Sequence, residues 1–123
     1  MHSEHNRKQY DYYELLYKAL EDDSRQVVAD LLQGLHPAEI ADSLEALPRE
    51  MRSGLWQQVD MLSKGEVLLE AHGEVRRQLI EASKEQELLA ALATLEVDEL
   101  ADLDAELPKF VVDAMVKSMD TRY

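Results

Sequence analysis

Apolar residues recur three and four positions apart along this chain, in short bursts broken by Gly, Pro or polar pairs. "DDSRQVVADLLQGL" (22–35) ends at a helix-capping Gly34, "HPAEIADSLEAL" (36–47) places Pro37 at a first helical position, and "PREMRSGLWQQV" (48–59) opens on Pro48. These are start and stop signals, because Pro lacks only an amide the first turn leaves unbonded and Gly closes a helix end freely. "SKGEVLLEA", "HGEVRRQLIEA", "SKEQELLAALATL", "EVDELADLDAEL" and "PKFVVDAMVKSM" follow, with stripes such as Leu100, Leu103 and Leu107. A spacing of three and four predicts one buried stripe per helix. The beat is near twelve residues, so each helix has about three turns.

A shift of sixty residues lays "LHPAEIADSLEALP" over "LEVDELADLDAELP", pairing Leu35 with Leu95, Glu39 with Glu99, Ala41 with Ala101, Asp42 with Asp102, Leu47 with Leu107 and Pro48 with Pro108. Short helices repeated at a fixed period cannot stand alone and bury their stripes by stacking. The expected fold is therefore all-α, a superhelical, armadillo-like stack of short helices whose handedness the pattern leaves open. Residues 1–23 form a separate N-terminal segment, with a polar, basic start expected to fray. Tyr13, Leu16, Tyr17 and Leu20 supply a stripe that would cap the stack formed by residues 24–123.

Composition agrees with helices and excludes much else. Four Gly, three Pro, one Phe and one Trp among abundant Leu, Ala and Glu are poor material for a sheet. There is no cysteine, hence no disulfide, thiolate metal site or cysteine nucleophile. No apolar run approaches the roughly 20 residues that span a bilayer, so direct membrane insertion is not expected. The formal net charge of −13 repels nucleic acid and anionic lipid and favours cations or basic protein surfaces.

No phosphate-cradling loop, nucleophile elbow or zinc-protease motif occurs, and the chain is read as non-enzymatic. His2 and His5 are spaced for a metal pair but lie in a terminal tail. His36 and His72 precede helix starts, where facing water or capping an amide is the ordinary role. Trp56 falls on an apolar face and is assigned to the core.

What remains is the acid. From Glu85 to Leu107 there are eight carboxylates and no Lys or Arg. With Glu96 as helix cap, Asp98 and Glu99 fall in a first turn, where the helix dipole favours negative charge by about 0.3 to 1 kcal/mol. Asp102 and Glu106 continue the row at intervals of four, each like-charge pair costing a few tenths of a kcal/mol. With the Leu stripe facing inward, this row would face outward. Mg2+ keeps several waters and takes one or two carboxylates, so Asp98 and Asp102 suit it as half of a site that another acidic surface completes.

"LHPAEIADSLEALP", "GEVLLEA", "EVRRQLIEA" and "VDELADLDAELP" together resemble the N-terminal cytosolic domain of the MgtE family of magnesium transporters, over roughly Val27 to Met119. The resemblance implies a regulatory domain on the cytoplasmic side of the cell membrane. It would be followed in the same polypeptide by CBS domains and a transmembrane pore, neither present in this chain, and the full-length transporter would be a homodimer. It also implies Mg2+ sensing: ions held between acidic faces of this domain and the CBS domains keep the pore closed, and Mg2+ scarcity separates them. The metal ligands it implies are Glu66, Asp98 and Asp102, with weak Mg2+ binding by the isolated domain. Ser63 and Glu66 also form an S-x-x-E capping-box pattern that accounts for Glu66 without an ion. Two departures stand out: Val97 at a helix start where a Pro or small residue is often found, and Asp104 on or near the apolar side of its helix. The alternative is a stand-alone helical-repeat adaptor that looks like the armadillo domains of the flagellar motor switch and takes a protein partner.

Overall fold

The computed structural model describes residues 4–120. All the regular structure among them is helical: α1 (Glu4–Glu21), α2 (Arg25–Gln33), α3 (Pro37–Ala46), α4 (Arg49–Gln58), α5 (Met61–Glu70), α6 (Gly73–Glu81), α7 (Glu85–Leu92), α8 (Val97–Leu103), a 3-10 helix (Asp104–Glu106) and α9 (Lys109–Asp120). The all-α class is as expected. His2 lies outside the described residues, while helix α1 begins at Glu4 and already includes His5, Arg7 and Lys8 of the polar, basic start expected to fray.

From Arg25 onward the period is strict. Helices begin at Arg25, Pro37, Arg49, Met61, Gly73, Glu85, Val97 and Lys109, each twelve residues after the last. The eighth place of successive periods holds Leu32, Leu44, Trp56, Leu68, Ile80 and Leu92, all buried. The eleventh holds Leu47, Val59, Ala71, Leu95 and Leu107, also buried, and the half-buried Leu35 and Ser83, so most residues that link one helix to the next belong to the core. Trp56 takes the core role assigned to it.

The chain divides into two compact units, Met1–Val59 and Asp60–Tyr123. In the first, α1 packs on α2 and α4, and α4 also meets α2 and α3. Leu16 and Ala19 carry the buried stripe of α1, while Tyr13, Tyr17 and Leu20 are half-buried. Two phenols tie α1 down, Tyr12 donating to the Leu31 carbonyl at the end of α2 and Tyr13 to the Ala46 carbonyl at the end of α3. Gly34 caps α2 as expected, but at φ −91°, outside the left-handed region. A Cβ there would lie 2.7 Å from the Tyr12 hydroxyl and would make that phenol shift. Left-handed backbone occurs instead at Gly73 (φ 50°) and at Asp23 (φ 55°), after α1, Asp being one of the few residue types that tolerates it.

In the second unit α5 is central, packing on α6, α7 and α8, and α7 packs on α9. Gly65 sets the approach of α5 to α7: a Cβ there would lie 2.6 Å from the Ala91 carbonyl oxygen and 2.7 Å from Thr94 Oγ1. Thr94 Oγ1 itself donates to that carbonyl at 2.7 Å, so neither atom is free to retreat. Gly54 of α4 differs, since an added Cβ would meet only Leu20 Cδ2, at an ordinary 3.8 Å.

The two glycines therefore predict opposite signs for one substitution. Gly65→Ala forces helices apart and is expected to cost about 1 to 3 kcal/mol. Gly54→Ala removes a flexible residue from a helix interior and is expected to gain about 0.5 to 1 kcal/mol. Urea midpoints at constant slope measure both; a Gly65→Ala midpoint at or above the parent's would contradict the close helix crossing.

Candidate functional site

The site residues are placed by the start of α8 and the middle of α5. Leu100 N–H donates to the Glu96 carbonyl, making Glu96 the cap of α8, and the Glu99 carboxylate reaches back to accept the Glu96 N–H at 2.9 Å. One repeat earlier the same bond recurs, the Glu39 carboxylate accepting the His36 N–H at 3.0 Å. The sixty-residue repeat thus extends to individual hydrogen bonds. It also separates acids by role: Glu39 and Glu99 hold helix starts together, an arm of the capping box.

Asp98 and Asp102 have no such task. They stand one turn apart on α8, both exposed, while Leu103 is fully buried and Leu107 nearly so. Neither makes a hydrogen bond or ion pair among the described residues. Their mutual repulsion at helical spacing of four costs a few tenths of a kcal/mol.

Glu66 is exposed on α5, which packs on α8. The capping-box reading of Glu66 is corrected by the helix boundaries. Helix α5 begins at Met61 with Asp60 as its cap, so Ser63 already lies in the first turn and cannot be the capping residue. Glu66 is one turn further in and faces solvent.

The acidic row is shorter than its spacing implied. Regular α-helix stops at Leu103, and the next residue, Asp104, occupies the eighth place of its period, where six others bury a large apolar side chain. The 3-10 turn that follows rotates Glu106 out of the row and against the protein, where its Oε1 accepts from Arg76 Nη1 at 2.9 Å. Glu106 is thus a structural ion-pair partner. Val97, the other departure, is exposed at the head of α8, as is Leu62 at the head of α5.

No group of three His, Asp or Glu side chains converges to hold a metal ion among the described residues. Glu66, Asp98 and Asp102 share one unit and two packed helices without forming one closed site. Two outward carboxylates one turn apart match what Mg2+ accepts from a protein, a pair of oxygens with water completing the octahedron. His36 and His72 are exposed at helix caps as expected.

Sequence reasoning missed the fourth place of the period. It is apolar in Val28, Ile40 and Leu88 but basic in Arg52, Lys64 and Arg76, twelve residues apart. Arg52 Nε and Nη2 donate to the Leu44 and Glu45 carbonyls at 2.8 and 3.4 Å, and Arg76 makes the equivalent bonds to Leu68 and Leu69 at 2.8 Å each. Lys64 is only 4% exposed and lies 3.5 Å from Glu87. The exact interval between these cations was the available signal.

Acids that shape the helix and acids that do not should separate in stability measurements. Glu99→Ala removes the bond to the Glu96 amide and is expected to cost about 1 kcal/mol. Asp98→Ala with Asp102→Ala is expected to stay within about 0.5 kcal/mol of the parent, since it removes a like-charge pair as well as a favourable dipole contact. Thermal and urea unfolding of the two variants check the contrast; equal losses would mean that Asp98 and Asp102 carry structural bonds.

No curated protein and no solved structure matches the chain. Residues 35–123 match the MgtE intracellular N domain, a span that holds Glu66, Asp98, Asp102 and the helices α3 to α9. That span is well over half of the chain, and the protein therefore belongs to the MgtE intracellular N-domain family, regulatory domains of magnesium transporters.

Proposed function

We propose that this domain senses intracellular Mg2+ for a magnesium transporter and controls its pore. The observation that carries the reading is the pair Asp98 and Asp102, exposed, unbonded among the described residues, and one turn apart on a helix whose third acid, Glu99, is bonded to a cap amide. Glu66, on the neighbouring helix, is the third ligand. CBS domains of the same polypeptide supply the opposing acidic face, in a homodimeric transporter. The domain works at the intracellular side of the membrane; no helix among the described residues is long and apolar enough to cross it.

Bound Mg2+ supplies positive charge between two negative faces. Asp98, Asp102 and Glu66 would hold it through oxygen, with water in the remaining positions. Without the ion the faces repel, over a range set by a screening length of about 8 Å at physiological salt. Turning a gate from about 1:99 to 99:1 takes roughly 5.5 kcal/mol of differential binding, which several weak sites share. Weak Mg2+ binding by the domain alone, in the millimolar range of sites with few exposed carboxylates, is part of the same reading.

A protein-docking adaptor is the second reading, favoured by the exposure of Leu62 (75%), Val97 (69%) and Phe110 (56%). It assigns the binding energy to apolar side chains and leaves Asp98 and Asp102 dispensable.

The test is Asp98→Ala with Asp102→Ala in the full-length transporter. Uptake should persist at Mg2+ concentrations that silence the parent, the half-inhibiting concentration rising by about tenfold, equivalent to about 1.4 kcal/mol of lost differential binding. Inhibition at the parent's concentration would sink the assignment of these residues.

A further inference from the structure

We infer that Arg76 and Glu106 form a clasp that positions the two carboxylate-bearing helices, α5 and α8, with Arg76 a positioning residue for cation sensing. The inference rests on the sensing role proposed above and concerns how its ligands are held.

The last carbonyls of an α-helix have no partner within it. In α5 two of these belong to Leu68 and Leu69, and Arg76, from α6, donates Nε to the first and Nη2 to the second at 2.8 Å each. The remaining arm of the same guanidinium, Nη1, donates to Glu106 Oε1 at 2.9 Å. A planar fork with donors at fixed angles can serve three acceptors only if they hold a fixed mutual arrangement. One side chain therefore joins the end of α5, one turn beyond Glu66, to the 3-10 turn that leaves α8, one turn beyond Asp102.

Burial strengthens the link. The Arg76 and Glu106 side chains are 13% and 29% exposed, so the pair is screened less than a surface salt bridge. Glu106 Oε2 is buried with no hydrogen-bond partner, which leaves the carboxylate dependent on Arg76 among the described residues. An acid in that position would otherwise be costly to retain. The repeat supplies an internal comparison: Arg52 makes the same two carbonyl bonds at the end of α3, in the other compact unit, which carries none of the carboxylates proposed as ligands.

The experiment compares Glu106→Gln, Arg76→Lys, Arg52→Lys and the Asp98→Ala, Asp102→Ala pair by Mg2+ inhibition of the full-length transporter, with amide hydrogen exchange of this chain beside it. Glu106→Gln preserves shape and removes the charge; Arg76→Lys preserves charge and removes the fork. Both are expected to raise the half-inhibiting Mg2+ concentration about threefold and to speed exchange across Val97–Leu103 about tenfold. Arg52→Lys should leave the Mg2+ midpoint unchanged although it loses the same kind of carbonyl bond. An equal midpoint shift in Arg52→Lys would reduce Arg76 to a general stability role and overturn the inference. So would parental exchange and a parental midpoint in Glu106→Gln while the Asp98, Asp102 variant loses inhibition, a result that leaves the sensing role standing. Parental inhibition in the Asp98, Asp102 variant would instead remove the sensing role itself, and the clasp's part in sensing with it.

Discussion

Helices of seven to twelve residues make up the chain from Arg25 onward, and helices shorter than about 12 to 15 residues are marginal in water. Each must hold its shape by burying one stripe on a neighbour. The constraint reaches into the linkers, because Leu47, Val59, Ala71, Leu95 and Leu107 are buried between helices rather than looping through solvent. An inserted residue would carry the next buried side chain out of the core. Twelve-residue spacing is therefore enforced by packing, and it fixes which side chains can face outward. Glu66, Asp98 and Asp102 fall on the second and sixth places of their periods, clear of the buried eighth and eleventh.

The same phase sorts charge. Arg52 and Arg76, half-buried at the fourth place, donate to carbonyls at the ends of α3 and α5, so these cations are committed to the backbone. Glu39 and Glu99 accept from cap amides and Glu106 accepts from Arg76. Of the eight carboxylates between Glu85 and Leu107, Glu87, Glu99 and Glu106 are bonded within the fold, whereas Asp98 and Asp102, the outward pair of α8, make no hydrogen bond or ion pair among the described residues. Net charge alone would not separate them, since solubility favours an acidic surface too.

The helices were legible because the sequence repeats its own punctuation. Pro37 opens α3 and Gly34 closes α2 as the pattern implies, and the sixty-residue match reappears as paired bonds at Glu39 and Glu99. The errors occurred where one residue type serves two purposes. Ser63 and Glu66 fit a capping box by spacing, yet capping depends on where the helix begins, and Met61 begins it two residues earlier. Glu106 fits an i, i+4 row only while the helix continues, and a 3-10 turn at Asp104 ends it. The twelve-residue interval of Arg52, Lys64 and Arg76 marks a shared role, but pattern does not name the acceptors of Arg76, because two of them are carbonyls, which every sequence has. Asp98 and Asp102 were legible as exposed acids; their use is a matter of what approaches them.

Under the proposed reading, the cheapness of that exposure is what makes the pair useful. A like-charge pair at helical spacing costs the lone domain only a few tenths of a kcal/mol, so nothing in the fold compels an ion to bind there. The cost rises only when a second acidic face comes within the screening length of about 8 Å. An ion then relieves a repulsion that exists in the compact arrangement and not in the open one. That difference between states is what a ligand needs in order to shift an equilibrium, because one that binds both equally shifts nothing. A closed, tight site on α8 alone would bind Mg2+ in either arrangement and lose the response. The incompleteness of the site within this domain is thus the property that lets concentration be read as conformation, and it requires that the helices bearing the carboxylates keep their places while the opposing face comes and goes.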